Sequence, residues 1–179
     1  METTKQKLAS TYTKLKPKFG YKNALAAPRL QKVVVSVGTG SKMKVDKNRN
    51  DFISDRLGKI TGQKPSPRQA KQSIASFKLR EGEVVGQTVT LRGERMNSFV
   101  DKLINIAFPR TKDFRGLDAK ALDNVGNLTL GIKEHTIFPE TGDEELKDVF
   151  GLAVTFVTTA KNKEEARAFF DHLEIPFKK

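Results

Sequence analysis

The feature that most constrains this chain is a strict two-residue alternation just after Pro28. Side chains on a strand point to opposite faces in turn, so Val33, Val35 and Val37 share one face while Lys32, Val34 and Ser36 share the other. The β-branched density of Arg29 to Val37 and the stop at Gly38 predict a strand. Its apolar face requires a core, and its polar face can meet a ligand. A second segment, Val84 to Arg92, repeats the arrangement, with Gln87, Val89 and Leu91 alternating against Thr88, Thr90 and Arg92.

The remaining segments surround such a sheet with helices. Leu8, Tyr12, Leu15 and Phe19 recur at helical spacing, with Thr3 or Thr4 as the cap and Gly20 as the stop. Ser41 to Asn50 is a Lys-rich loop by composition, and Phe52, Ile53, Leu57 and Ile60 outline a helix ending at Gly62. Pro65 and Pro67 restrict any strand within Gln63 to Gln69 to a short one at an edge. Ile74 to Leu79 and Val84 to Arg92 are expected to form a hairpin with Arg80-Glu81-Gly82-Glu83 at its charged tip. Met96, Phe99, Val100, Leu103 and Ala107 predict an amphipathic helix ended by Pro109. Arg110 to Asn127 is expected to be irregular, Leu128 to Lys133 and Leu152 to Thr159 to be strands, and Ala166, Phe169, Phe170 and Leu173 to line a final helix capped by Asn162. Helices interspersed with mostly antiparallel strands predict an α+β fold, one domain over residues 1–179, with protruding loops near 77–86 and 110–148.

Charge bears on the open face. Lys and Arg total 33 against 21 Asp and Glu, for a net charge of +12. The distribution is uneven: residues 1–50 carry 12 basic and 2 acidic side chains, residues 51–115 carry 13 and 7, and residues 116–179 carry 8 and 12. A basic front points to a polyanion such as RNA, and an acidic tail to a different, basic partner. The helices would then gather on one face of the sheet and leave the other open for RNA. The 12 Phe fall mostly at core-type positions and there is no Trp, so stacking on the sheet is secondary to polar contacts.

The chain carries no constellation for catalysis. With no Cys there is no thiolate nucleophile, no disulfide framework and no Cys-ligated metal. Gly38 and Gly40 have G-x-G spacing, but Met43 occupies the place of the third glycine and a Lys-rich segment follows, so the glycines are read as a tight turn. No phosphate-binding G-x-x-x-x-G-K-[ST] string occurs. His135 and His172 fall in different predicted elements and are read as packing or surface residues. Asp143-Glu144-Glu145 lacks the alternating ligands and the glycine of a calcium loop. No apolar run approaches a bilayer span, and Met1 to Ser10 lacks the apolar stretch of a signal peptide. The expectation is a non-enzyme with no cofactor and no metal, cytoplasmic, without a membrane partner and monomeric when free.

Five strings in register resemble a known family. They are P-R-L-Q-K-V-V-V from Pro28, I-T-G-Q-K-P from Ile60, F-K-L-R-E-G from Phe77, P-R-T-K-D-F-R-G from Pro109 and I-F-P-E from Ile137. Together they are similar to the bacterial large-subunit ribosomal protein family that binds 5S rRNA, fifth in that subunit's naming series. The resemblance implies a structural constituent in the central protuberance, with 5S rRNA, large-subunit rRNA, the tRNA of the peptidyl site and a basic small-subunit protein as partners. It implies 5S rRNA contacts at Lys32, Ser36, Gln63 and Thr90, which the alternation joins to Thr88, Arg92 and the neighbouring Lys64. Position 36 is commonly Asn in the family, and Ser offers one short hydroxyl where the amide offers a separate donor and acceptor. It further implies a tRNA-contacting tip at Phe77, Lys78, Leu79, Arg80 and Gly82. A bridge between subunits would use Arg110, Lys112, Asp113, Arg115, Asp143, Glu144 and Glu145. A basic RNA-binding or RNA-chaperone protein with no bridging role is the alternative that composition alone leaves open.

Overall fold

The structure, a computed structural model, describes residues 2–40, 48–112, 114–142 and 148–178. Five strands form one sheet in the order β2-β3-β1-β5-β4: β1 Leu30–Gly38, β2 Ser66–Gln69, β3 Val84–Leu91, β4 Leu128–Ile132 and β5 Leu152–Thr158. Neighbouring strands run antiparallel. Ser66 lies opposite Thr88 where β2 meets β3, the Thr39 N–H donates to the Val85 carbonyl just beyond β1, and the Thr159 N–H donates to the Arg29 carbonyl where β5 meets β1. The helices are α1 Thr4–Phe19, α2 Arg49–Thr61, α3 Gly93–Lys102, a short turn α4 Phe108–Arg110, and α5 Lys163–His172. The α+β expectation holds.

The chain's packing divides into two compact units. The first comprises residues 1–33, 92–130 and 154–179; the second comprises 34–91 and 131–153. In the first, α1 packs on α3 and α5. α5 faces the sheet through Phe169 and Phe170, and the Phe170 ring meets Phe156 of β5 edge-on at 6.0 Å. In the second, α2 packs on β3 through Ile53, Leu57 and Ile60, all essentially sealed from solvent. Val33, Val35 and Val37 are buried, whereas Lys32, Val34 and Ser36 are half-exposed. β3 alternates in the same sense, with Val89 and Leu91 buried and Thr88 and Thr90 half-exposed.

Helix ends follow the local chemistry. Thr3 and Gln6 form a reciprocal capping box on α1, and Gly20 and Gly62 end α1 and α2 in the left-handed conformation. The Asn162 side chain accepts from the Glu165 N–H at the start of α5.

Three expectations need correction. Ile74 to Leu79 is no strand: Ala75–Phe77 is a 3-10 turn bracketed by mutual Ile74–Leu79 backbone bonds, and β3 pairs instead with the fully exposed, polar β2. Pro109 does not end its helix. The five-residue π-turn Leu103–Ala107 precedes it, the Phe108 N–H reaches the Leu103 carbonyl, and the helical path continues to Arg110. The buried stripe of α1 is Thr4, Lys7, Thr11 and Leu15, while Leu8, Tyr12 and Phe19 are half-exposed. Most of the Lys-rich stretch, residues 41–47, lies outside the described residues.

That polar stripe is tolerable because each buried polar side chain is hydrogen-bonded, Thr4 and Lys7 to residues remote in sequence. The Thr4 N–H and hydroxyl both donate to Asp101 Oδ1, at 2.7 and 2.6 Å. Lys7 Nζ donates to Glu174 Oε2 at 2.7 Å, and the Thr11 hydroxyl donates to the Lys7 carbonyl. Buried polar groups cost little when so bonded and about 1–3 kcal/mol when stranded. Asp101→Ala is therefore expected to lower stability by about 1–3 kcal/mol, read as a lower urea midpoint at unchanged slope. The Lys7 ammonium holds the Glu174 carboxyl below its ordinary value. A depressed carboxylate stabilises the fold above its unfolded-state value and loses that contribution as pH falls through the folded one. Glu174→Gln should thus destabilise at neutral pH, and the gap to wild type should close on acidification; a gap independent of pH would contradict the assignment.

Candidate nucleic-acid interface

Within the second unit, four of the expected polar residues lie on or beside the open face. Ser36, Gln63, Thr88 and Thr90 are each half-exposed, and Lys64 is exposed beside Gln63. Ser66, directly opposite Thr88 on β2, shares its face. The Gln63 side chain is tethered: Nε2 donates to the Thr90 carbonyl at 3.2 Å, leaving Oε1 as an acceptor for a ligand. The chain reaches this point because Thr61 closes α2, its hydroxyl donating to the Leu57 carbonyl at 2.6 Å with the Gln63 carbonyl 3.1 Å away. An open groove of about 610 Å³ beside α2 is lined in part by Lys59, Gln63 and Lys64.

Lys32 and Arg92 belong to the first unit. Lys32 lies two alternations before Ser36 on the same face of β1, half-exposed, and Arg92 is exposed at the N-cap of α3. The short edge strand expected within Gln63 to Gln69 is β2, but sequence reasoning assigned no contact to its Ser66, Arg68 and Gln69, because an exposed segment has no buried face to set its polar side chains apart. Pairing with β3 is what places them.

The residues expected at the tip, Phe77 to Gly82, lie in a self-bonded loop joining β2 to β3. The Ala70 N–H donates to the Glu83 carbonyl at 2.8 Å and the Gly82 N–H to the Ala70 carbonyl at 3.0 Å. The Arg80 N–H donates to Glu83 Oε2, and the Glu81 N–H to the Ser73 hydroxyl. Phe77 is 66% exposed, Lys78 and Arg80 are exposed, Leu79 is half-exposed, and Lys78 adopts a left-handed φ of 49°. An apolar ring flanked by cations is thus presented on an ordered turn.

Arg110, Lys112 and Arg115 are exposed in the first unit. Asp113, Asp143, Glu144 and Glu145 lie outside the described residues. The described end of the acidic stretch is committed to the fold: Asp148 Oδ1 accepts from Arg49 at 3.1 Å, and the same guanidinium donates to the carbonyls of Asp148 and Val149. Both histidines are packing residues. His135 is fully buried and stacks on Phe150 at 3.9 Å; the His172 ring nitrogen lies 2.7 Å from the Lys7 carbonyl.

A polar, cation-flanked sheet face suits RNA-binding proteins of many kinds, and the sequence narrows them to one family. Residues 23–80 match the family profile described as "Ribosomal protein L5", and residues 84–177 match the profile of the C-terminus of the same family. The "Large ribosomal subunit protein uL5" of Trichlorobacter lovleyi is 50% identical over 165 residues, covering 92% of each chain. The protein of the same name from Desulforamulus reducens is 48% identical over 165 residues, 92% of this chain and 91% of the relative. That of Desulfatibacillum aliphaticivorans is 48% identical over 172 residues, 96% of each. The chain belongs to the ribosomal protein L5 family. It is therefore a structural, non-enzymatic constituent of the large subunit of the bacterial cytoplasmic ribosome, associated with rRNA.

In this member of the family the order of the β2–β3 loop depends on Gly82, whose φ of 84° suits glycine. Gly82→Ala should cost about 1 kcal/mol locally. Amide exchange at Ala70 and Gly82 is expected to accelerate while core strand amides remain protected, and unchanged exchange in the loop would show that its order has another source.

Proposed function

We propose that the hydroxyl and amide groups of the open face, Ser36, Gln63, Thr88 and Thr90, grip 5S rRNA, with Lys32, Lys64 and Arg92 holding its phosphates. The observation that carries this reading is the row of half-exposed polar side chains alternating with the buried Val33, Val35, Val37, Val89 and Leu91 on the same strands. Folded RNA offers side chains the 2′-hydroxyls and phosphates of its helices and the base edges of its unpaired loops rather than a readable major groove. Short hydroxyls and one tethered amide suit those groups, and mounting them on strands limits the entropy lost on binding. Ser36 supplies a hydroxyl where the family commonly has an amide, so its bond to RNA is single, and Gln63 carries the amide chemistry.

The same reading assigns the loop of Phe77, Lys78, Leu79, Arg80 and Gly82 to the tRNA of the peptidyl site, the ring packing on a sugar or base and the cations meeting phosphates. The bridge to the small subunit falls to Arg110, Lys112, Asp113 and Arg115 together with Asp143, Glu144 and Glu145, the carboxylates facing a basic small-subunit protein. Asp148 is withdrawn from it by its bond to Arg49.

Binding of purified 5S rRNA tests the central claim. For about six neutralised phosphates, affinity should fall roughly a thousandfold between 50 and 200 mM salt. Gln63→Ala and Thr90→Val should each weaken binding about tenfold with the salt slope unchanged, because they remove hydrogen bonds and not charges. Lys64→Met should instead flatten the slope. Unaltered affinity in both polar variants, with the fold intact by circular dichroism, would refute the site.

A further inference from the structure

A second feature of the first unit has chemistry that the open face lacks. The segment Phe114, Arg115, Gly116 and the segment Pro176, Phe177, Lys178 line an open pocket of about 720 Å³. Each of its two rings has a stacking partner outside the lining. Phe114 stacks on the buried Phe108 at 4.9 Å with the planes 10° apart. Phe177 lies beneath the Arg167 guanidinium, 3.8 Å from the ring centroid, and Asp171 fixes that guanidinium at 3.2 Å.

The backbone between the rings is also fixed. The Leu117 N–H donates to the Pro176 carbonyl at 2.8 Å and the Lys178 N–H to the Leu117 carbonyl at 2.9 Å, a parallel bridge between Leu117 and Phe177. Gly116 makes the approach possible: its φ is 92°, and a Cβ there would stand 2.7 Å from the Lys178 nitrogen. The cations of the lining, Arg115 and Lys178, are exposed, and among the described residues no carboxylate lines the pocket.

We propose that this pocket holds one unpaired nucleotide of an RNA strand, its base packed against Phe114 and Phe177 and its phosphates met by Arg115 and Lys178. Aromatic rings stack any base through its π-face, and guanidinium and ammonium groups supply the phosphate attraction. A ligand with only negative charge would need no aromatic lining; an apolar ligand would need no cations. The pair of features together specifies a flat, uncharged ring carrying an adjacent anion. The proposal rests on the reading of the chain as an RNA-bound protein but on residues separate from the open face.

The test uses the full-length protein and a single-stranded oligouridine RNA with one central 2-aminopurine, whose fluorescence is quenched on stacking; the chain has no Trp to interfere. Wild type is expected to quench the probe. Phe177→Leu and Arg115→Ser should each weaken that binding at least about tenfold, in line with the loss of one stacked base or one phosphate contact. A Lys133→Ser variant, which removes one exposed cation outside both surfaces, should quench like wild type. The Arg115 side chain is exposed, so its variant decides the matter even if Phe177→Leu proves unstable. Quenching that survives both pocket variants, or that Lys133→Ser weakens as much as Arg115→Ser does, would overturn the proposal while leaving the 5S rRNA reading intact. Displacement of the probe by polyglutamate at equal charge would also overturn it, in favour of an acidic peptide. Loss in the pocket variants together with intact 5S rRNA binding supports it.

Discussion

The architecture depends on the sealing of one sheet face. Val33, Val35, Val37, Val89, Leu91, Val154 and Phe156 are all essentially withdrawn from water. Burying a side chain of this size stabilises by about 1.5–3 kcal/mol. Slipping β1 by one residue would exchange its inward valines for Lys32, Val34 and Ser36, stranding a charge and a hydroxyl in the core. The orientation of the polar row is therefore fixed by the residues behind it, and the precision of the open face is inherited from the core.

At the edge of the sheet the constraint is looser, and the chain manages it by other means. β2 is short, wholly exposed and contains Pro67, which removes one backbone donor, while Arg68 adds charge. These are devices that discourage a further strand from adding to the edge. They also leave the β2–β3 loop to order itself through its own backbone bonds, so its conformation is local and separable from core stability.

Much of this was legible because it follows from local rules. The alternation in β1 and β3, the Thr3 and Asn162 caps and the left-handed glycine stops need no knowledge of distant residues. What escaped depended on partners remote in sequence. Helical spacing singles out Leu8, Tyr12, Leu15 and Phe19 in α1, yet Thr4 and Lys7 are buried as well, bonded to Asp101 and Glu174, 97 and 167 residues away in the chain. Ile74, Phe77 and Leu79 have the composition of a strand, but β3 takes its backbone partners from Ser66–Gln69, the short edge strand that Pro65 and Pro67 allow, whose side-chain pattern does not name its partner. Pro109 reads as a helix end unless a π-turn is foreseen, since that turn moves the preceding bonds by one residue. In the site, the alternation located Ser36, Thr88 and Thr90 directly, whereas the tether from Gln63 to the Thr90 carbonyl exists only once α2 has folded back on β3.

The distribution of charge gains a physical meaning from these placements. Net positive charge attracts any polyanion and cannot by itself select one RNA, because phosphate is the same in every sequence. Selection has to come from groups that test something other than charge. In the proposed reading, hydroxyls and a tethered amide on rigid strands would test for sugar hydroxyls and base edges, and a cation-rimmed pair of rings would test for a base free to leave its stack. Substitution would then separate the two surfaces, since altering one removes hydrogen bonds and altering the other removes stacking.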